Sequence, residues 1–209
     1  MAMVILACGA LAREIKAVVA ANGWQDVRLE CLPAHLHNEP HRIPEAVREK
    51  LLQLDAGEQV FVAYADCGTG GRLDGVLAEF GAERLPGAHC YDVFAGESVI
   101  AALSEQAPGT FYLTDFLARH FDRLVLHELG IERHPELAQL YFGQYERVVY
   151  LSQREDPGLE KLAERAAQQL GLAFEKRHTG YGGLTTSLVR FVESPIAALS
   201  GGEELEWPQ

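Results

Sequence analysis

Three cysteines lie where an α/β protein would place the ligands of a shared site. Cys8 directly follows the apolar run 4–7, and Cys67 follows the apolar run 60–65 within two residues. Cys90 follows a Pro-Gly turn and precedes a predicted helix. Ligands of open α/β sheets bind beyond the carboxyl ends of the strands. We therefore expect the three thiols to face one crevice.

The surroundings of these cysteines indicate metal chemistry. Each lies near the N-terminus of a predicted helix, where the helix dipole and free N–H groups favour a thiolate and lower its pKa. Three thiolates form a soft site that selects zinc, Cu(I) or an iron–sulfur cluster. Zinc would take a histidine as fourth ligand, whereas a [4Fe–4S] cluster held by three cysteines leaves one iron open to a substrate. We favour the cluster, with zinc second.

The residues beside the cysteines are candidates for holding a cofactor in place. Gly68 and Gly70 belong to a glycine-rich turn whose N–H groups can point at bridging sulfides. Asp66 directly precedes the second cysteine and is a candidate to orient it. His89 adjoins the third cysteine, as a metal ligand or as a hydrogen-bond donor behind the ligands. Because adjacent side chains diverge, the second role is the preferred interpretation.

Two further residues are candidates for contact with a substrate. His37 lies in a loop with His35 and His41, and a turn at its end would direct His37 into the crevice. Tyr181 is flanked by glycines, which would let it close over a ligand. The alternatives are a solvated histidine loop and an ordinary glycine turn.

The thiols also allow functional interpretations that need no metal. Two of the three site cysteines could form a reversible disulfide, or one could act alone as a nucleophile. Cys31 lies inside a predicted strand and is interpreted as a buried packing residue rather than a ligand.

Strands and helices alternate along the chain, which predicts an α/β fold. We expect one central, mainly parallel sheet with helices on both faces, Rossmann-like in arrangement. The predicted strands are 4–7, 26–32, 59–65, 109–113, 147–151 and 173–176. The predicted helices are 11–21, 44–54, 73–80, 94–105, 114–129, 135–145 and 158–170, with 187–192 either a strand or a helix. A strand–turn–helix unit occurs at 4–20, 60–80 and 148–171, through duplication or as the ordinary α/β pattern.

The length, charge and composition of the chain limit the classes of function that it could have. The 209 residues are 48% hydrophobic, which is enough to form a core, so we expect a single domain over 1–195 and a flexible tail over 196–209. The formal charge of -12 argues against nucleic-acid binding. No apolar run is long enough to span a membrane and no secretory signal is present, so we expect a cytoplasmic protein. Neither a Walker phosphate loop nor a dinucleotide-binding turn is found.

Several motifs resemble one catalogued family, the domain of unknown function 1638 family of bacteria and archaea. They are Ala7-Cys8-Gly9, Pro33-Ala34-His35-Leu36-His37-Asn38, Asp66-Cys67-Gly68-Thr69-Gly70, Gly87-Ala88-His89-Cys90-Tyr91 and Tyr112-Leu113-Thr114-Asp115. The resemblance implies no settled activity. It does imply an association with corrinoid-dependent methyltransferase systems, and a pattern that includes Cys8, Cys67 and Cys90 but not Cys31.

Residues and resemblance together predict a three-cysteine metal protein in one-carbon or methyl-group metabolism. It would act, as a lyase or transferase, on a small anionic or sulfur-containing substrate. The alternatives are a non-catalytic accessory of a corrinoid methyltransferase and a thiol redox protein. The oligomeric state is not predicted.

Overall fold

A computed structural model describes residues 2–55 and 57–194. Seven strands lie in this part of the chain, and every pairing among them is parallel. They are β1 (Met3–Cys8), β2 (Val27–Leu32), β3 (Gln59–Ala63), β4 (Glu83–Arg84), β5 (Thr110–Thr114), β6 (Arg147–Ser152) and β7 (Ala173–His178). The first sheet has the order β2-β1-β3-β4, and the second has the order β5-β6-β7.

The helices lie between the strands and complete the α/β pattern. They are α1 (Ala12–Asn22), α2 (Ile43–Leu51), α3 (Arg72–Phe80), α4 (Cys90–Ala95), α5 (Glu97–Gln106), α6 (Asp115–Phe121), α7 (Glu136–Phe142), α8 (Pro157–Leu170) and α9 (Gly182–Glu193). Short 3₁₀ turns occupy Gly9–Leu11, Ala34–Asn38 and Pro40–Arg42, and a π-helical segment, Asp122–His127, follows α6.

Each sheet is built around one strand that is apolar on both faces. In β1, the residues from Val4 to Cys8 are all buried, as expected for the inner strand of a covered parallel sheet. In β6, the residues from Val148 to Ser152 are likewise buried. The register places Cys8 opposite Leu32 of β2, so that the turns after β1 and β2 begin side by side.

The α/β class and the parallel pairing are confirmed, but the expectation of one central sheet was wrong. The first sheet ends at β4, which has only two residues and is polar. The chain then runs through α4 and α5 before β5 begins a separate sheet. Residue patterns predict that a segment is a strand, but they do not specify which strand it pairs with.

Two predicted helices are broken in the structure. The helix expected over 94–105 is divided at Gly96, whose φ of 88° lies in a region that favours glycine and ends α4. The helix expected over 114–129 departs from helical angles at His120 and continues as the π-helical segment. The stretch 187–192, for which both a strand and a helix were predicted, belongs to α9. The predicted tail, 196–209, lies outside the described residues.

Candidate functional site

Cys8 ends β1 and is buried beside a histidine. The N–H of Ala10 donates to the Cys8 Sγ at 3.3 Å, in the turn that follows the strand. The Nδ1 of His37 lies 3.6 Å from the same Sγ and 3.2 Å from the carbonyl oxygen of Ala34. His37 is carried by the 3₁₀ turn after β2, so two neighbouring strand ends bring the thiol and the imidazole together. His35 and His41 of the same loop are exposed.

Backbone hydrogen bonds bring the second and third cysteines together. The N–H of Asp66 donates to the Gly87 carbonyl at 3.1 Å, and the N–H of Cys67 donates to the Ala88 carbonyl at 2.7 Å. Cys90 begins α4 immediately afterwards, and its N–H faces the Cys67 thiol. Among the described residues, Cys67 is the one residue other than glycine with a positive φ, 51°. Such strain costs about 1–3 kcal/mol and occurs mainly at functional sites.

All three site thiols have raised pKa values, so the expected lowering was wrong. Burial raises the pKa of Cys8 to about 12 against the opposing effect of the Ala10 N–H. Burial also raises the pKa of Cys67 to about 11. The pKa of Cys90 is raised by burial and then by the charges of the other two thiols. The helix N-termini are present, but desolvation outweighs them. A bound cation would reverse this balance.

Tyr64 is a site residue that sequence reasoning missed. Its ring stacks on that of His37, with centroids 6.1 Å apart and planes at 12°. The side chain is 1% exposed. Burial raises its pKa, and the charge of Cys8 and the contact of its thiol with the Tyr64 hydroxyl raise it further. The only signal in the sequence is a tyrosine next to the last residue of an otherwise apolar run.

Asp66 shapes the turn that carries the second thiol. Its carboxylate accepts hydrogen bonds from Thr69 Oγ1 at 2.7 Å, from the N–H of Gly70 at 3.0 Å and from the N–H of Gly71 at 2.8 Å. These bonds, that of Thr69 first, lower the pKa of Asp66 to about 2. The N–H of Gly70 is therefore engaged within the turn rather than directed at a cofactor. The proposed role of Gly68, whose φ is 83°, stays a prediction.

His89 lies at the exposed edge of the site. Its ring is 6.1 Å from that of Tyr91, and its backbone N–H donates to the Asp92 carboxylate at 2.8 Å. Burial lowers the pKa of His37, and the charge of His89 lowers it further. His89 thus lies close enough to affect His37, and its role, as a ligand or behind the ligands, stays a prediction.

A cavity of about 230 Å³ opens next to these residues. It lies between the first half of the molecule, which contains the first sheet, and the second half, which contains the second sheet. The first half lines it with Ala10, Ala34, His37, Asn38, Cys90 and Tyr91. The facing wall includes Phe111, Thr114, Phe116, Leu117, Leu124 and Val125. Asn38 donates a hydrogen bond to the side chain of Glu128 and so links the two halves.

A buried carboxylate organises the carboxyl end of the second sheet. Asp115 is fully buried and accepts hydrogen bonds from the Tyr150 hydroxyl at 2.7 Å and from the Gln153 N–H at 3.0 Å. The Nε of Arg154 lies 3.4 Å from its other oxygen. The side chain of Gln153 accepts the Asp115 N–H in return, at 2.7 Å. This network was not predicted, although Asp115 belongs to a motif that the sequence singled out.

Tyr181 lies within electrostatic range of a second buried carboxyl group, that of Glu14 in α1. Glu14 of α1 is 4% exposed, and its Oε2 has no hydrogen-bond partner among the described residues. Its pKa is raised by burial and by the charge of Asp115, while Arg119 and Arg154 oppose the shift. The pKa of Tyr181 is raised by burial and then by the charge of Glu14. The charged neighbours of Tyr181 are therefore these groups, and its catalytic role stays a prediction.

Replacement of Glu14 by glutamine is expected to stabilise the protein at neutral pH. Because its pKa is higher in the folded chain than in the unfolded chain, Glu14 costs free energy once the pH exceeds the unfolded value of about 4.3. That cost grows until the pH passes the raised folded pKa. Glu14→Gln should therefore raise the urea midpoint at pH 7 and have little effect at low pH. An equal effect at both pH values would contradict a raised pKa of Glu14 in the folded chain.

Within residues 2–55 and 57–194, neither a metal-binding group nor a membrane-spanning helix is found. No three His, Cys, Asp or Glu side chains there form a group that could hold a metal ion. No helix in those ranges is long and apolar enough to cross a membrane.

Comparisons with known proteins identify a family without an activity. The family model described as "Protein of unknown function (DUF1638)" matches residues 31–188. No curated protein matches the chain. Among solved structures, the chain is similar to ornithine carbamoyltransferase from Pyrococcus furiosus, with 15% identity and a TM-score of 0.26. The match covers 85% of this chain and 54% of the other, so the chain spans about half the length of that protein. Similarity at this level has no bearing on activity.

Proposed function

The chain belongs to the DUF1638 family, and because that description names no activity, we propose a function from the residues themselves. Cys8, Cys67 and Cys90 would hold a [4Fe–4S] cluster with one open iron, and the protein would act on a small molecule. The setting is one-carbon or methyl-group metabolism, and the reaction is that of a lyase or transferase. We place it in the cytoplasm, where a reducing environment keeps the three thiols free.

The convergence of three thiols at one end of the first sheet is the observation that carries this proposal. They come from the turns after β1 and β3 and from the start of α4. The charge of Cys67 raises the pKa of both Cys8 and Cys90, so the three lie within electrostatic range of one another. Thiols gathered and desolvated in this way are poor nucleophiles on their own, but they suit a metal that deprotonates them.

The cysteines of a cubane cluster each bind a different iron, so they need not converge on one point as the ligands of a single ion do. Among the described residues, no three His, Cys, Asp or Glu side chains form a group that could hold a metal ion, so binding would have to bring the three thiols closer together. Zinc is the second candidate.

The chain's own residues would bind the substrate and move protons. When bound, the cluster supplies a Lewis-acidic iron. His37 has a lowered pKa, so its imidazole is neutral at pH 7 and can accept a proton at the mouth of the cavity. Its Nδ1 is oriented by the Ala34 carbonyl. The stacked ring of Tyr64 limits its rotation.

Metal analysis of anaerobically purified protein tests the proposal. We expect about four irons and four acid-labile sulfides per chain, with a broad visible absorption. About one zinc per chain and no sulfide would replace the cluster with a zinc site. Absence of both metals, with a reversible disulfide between two of the site cysteines, would overturn the proposal in favour of a thiol redox protein.

The acidity of the chain favours a second candidate, a non-catalytic accessory of a corrinoid methyltransferase. A formal charge of -12 suits a partner with a basic surface. Binding to a purified corrinoid methyltransferase component should then weaken steeply between low and high salt. Retention of that binding in His37→Ala would support the accessory role, because His37 contributes to the cavity rather than to the charged surface.

A further inference from the structure

The wall of the cavity that faces His37 and Cys90 is mainly apolar. Phe111 of β5 and Leu117 of α6 form part of it, and the π-helical segment adds Leu124 and Val125. The break in the helix at His120 changes the course of the chain just before these two residues. The second half of the molecule therefore contributes a hydrocarbon surface to the site.

The polar residues that line the cavity are few: His37, Asn38, Thr114, Cys90 and Tyr91. No Lys, Arg, Asp or Glu of the described chain lines the cavity. A charged ligand would lose its hydration here without gaining a counter-charge from these side chains.

The volume of the cavity sets the size of its occupant. Its 230 Å³ exceeds the roughly 150 Å³ of an engineered apolar cavity that binds benzene. A substituted benzene ring or a short thioether would fit, whereas a nucleotide or a corrinoid would not.

We propose that this cavity binds a small, uncharged, mainly apolar molecule whose single polar group faces His37 and Cys90. This inference rests on the proposed function, because it names the substrate class of the same site. It departs from the anionic substrate expected from the sequence, since no Lys or Arg of the described chain lines the cavity. It retains the sulfur-containing substrate in its neutral form, the thioether.

Three ligands of nearly equal size and different charge test the inference. Benzyl alcohol is neutral, benzoate is an anion and benzylammonium is a cation. By calorimetry on the native chain at pH 7, we expect benzyl alcohol to bind at least about tenfold more tightly than either ion, because an unpaired charge is costly to bury. Equal or tighter binding of benzoate would overturn the inference. So would tighter binding of benzylammonium, which would indicate recognition by the aromatic faces.

A matched pair of variants places the binding in the cavity. Leu117→Trp fills it and should weaken benzyl alcohol binding at least about tenfold, because a filled cavity has no room for the ligand. Leu140→Trp makes the same change on a residue that is 75% exposed and should bind as the native chain does. Undiminished binding to a folded Leu117→Trp would overturn the inference. If that variant does not fold, the three-ligand comparison still decides.

A cysteine variant separates this inference from the proposed function. Cys67 does not line the cavity, so Cys67→Ser should still bind benzyl alcohol even when it holds no metal. Loss of metal with retained binding is the expected result. Binding in a native protein that holds no metal would overturn the proposed function alone, while a native metal protein that binds none of the three ligands would overturn the cavity's role alone.

Discussion

Cys67→Ser, purified without oxygen, is expected to contain at least about tenfold less iron and acid-labile sulfide than the native protein. Loss of a residue behind the metal ligands already weakens metal sites by about 10–100-fold, and loss of a ligand should do more. Cys67 occupies a strained turn that two backbone hydrogen bonds hold against the 87–88 segment. Serine can adopt that turn but offers a hard hydroxyl in place of a soft thiolate.

The fourth cysteine provides the matched control. Cys31 lies on β2, one of the two edge strands of the first sheet, and is exposed. Cys31→Ser should retain the native iron, sulfide and visible spectrum. Cys8→Ser and Cys90→Ser should both behave like Cys67→Ser. A cluster that survives in any of these three, or that disappears in Cys31→Ser, would contradict the ligand assignment.

The exposure of Cys31 also corrects the sequence analysis. A cysteine within a strand was interpreted as a buried packing residue, but β2 has one neighbouring strand only. Position along a strand does not reveal whether that strand is central or at an edge. The division between site cysteines and Cys31 remains a prediction, and its original reason, burial of Cys31, was wrong.

Local patterns predicted much of what positions the site. An apolar run that ends in Cys8-Gly9 indicates a buried strand and a following turn, and the structure has both. The placement of Cys67 after β3 follows from the same signal. These features depend on a few neighbouring residues, so one sequence is enough to predict them.

Features that depend on distant parts of the chain were not predictable in this way. The division into two sheets, the cavity between them and the contact of His37 with Tyr64 all join segments far apart in sequence. The pKa values of the thiols could not be predicted from the sequence for the same reason. Proximity to a helix N-terminus is visible in the sequence, but the burial that outweighs it at Cys8 comes from tertiary packing.

Asp115→Ala is expected to destabilise the protein by about 2–5 kcal/mol, because it leaves two buried donors unpaired. The Tyr150 hydroxyl and the Gln153 N–H both donate to this carboxylate. Loss of the contact with Arg154 should cost less free energy, because the Arg154 side chain is 43% exposed and water can replace the carboxylate. Urea unfolding measures the change, with an unaltered slope showing that the unfolded state is comparable.

Two companion variants test the physical reason for this loss. Asp115→Asn keeps an oxygen that can accept one or both hydrogen bonds, so it should lose less stability than the alanine variant. Asp122→Ala removes an exposed carboxylate that lies 3.5 Å from Arg165, and it should change stability by less than about 1 kcal/mol. If Asp115→Ala were as mild as Asp122→Ala, the buried network would contribute little to holding the strand ends beside the cavity. The apolar wall at Phe111 and Leu117 would then have to be held by packing alone.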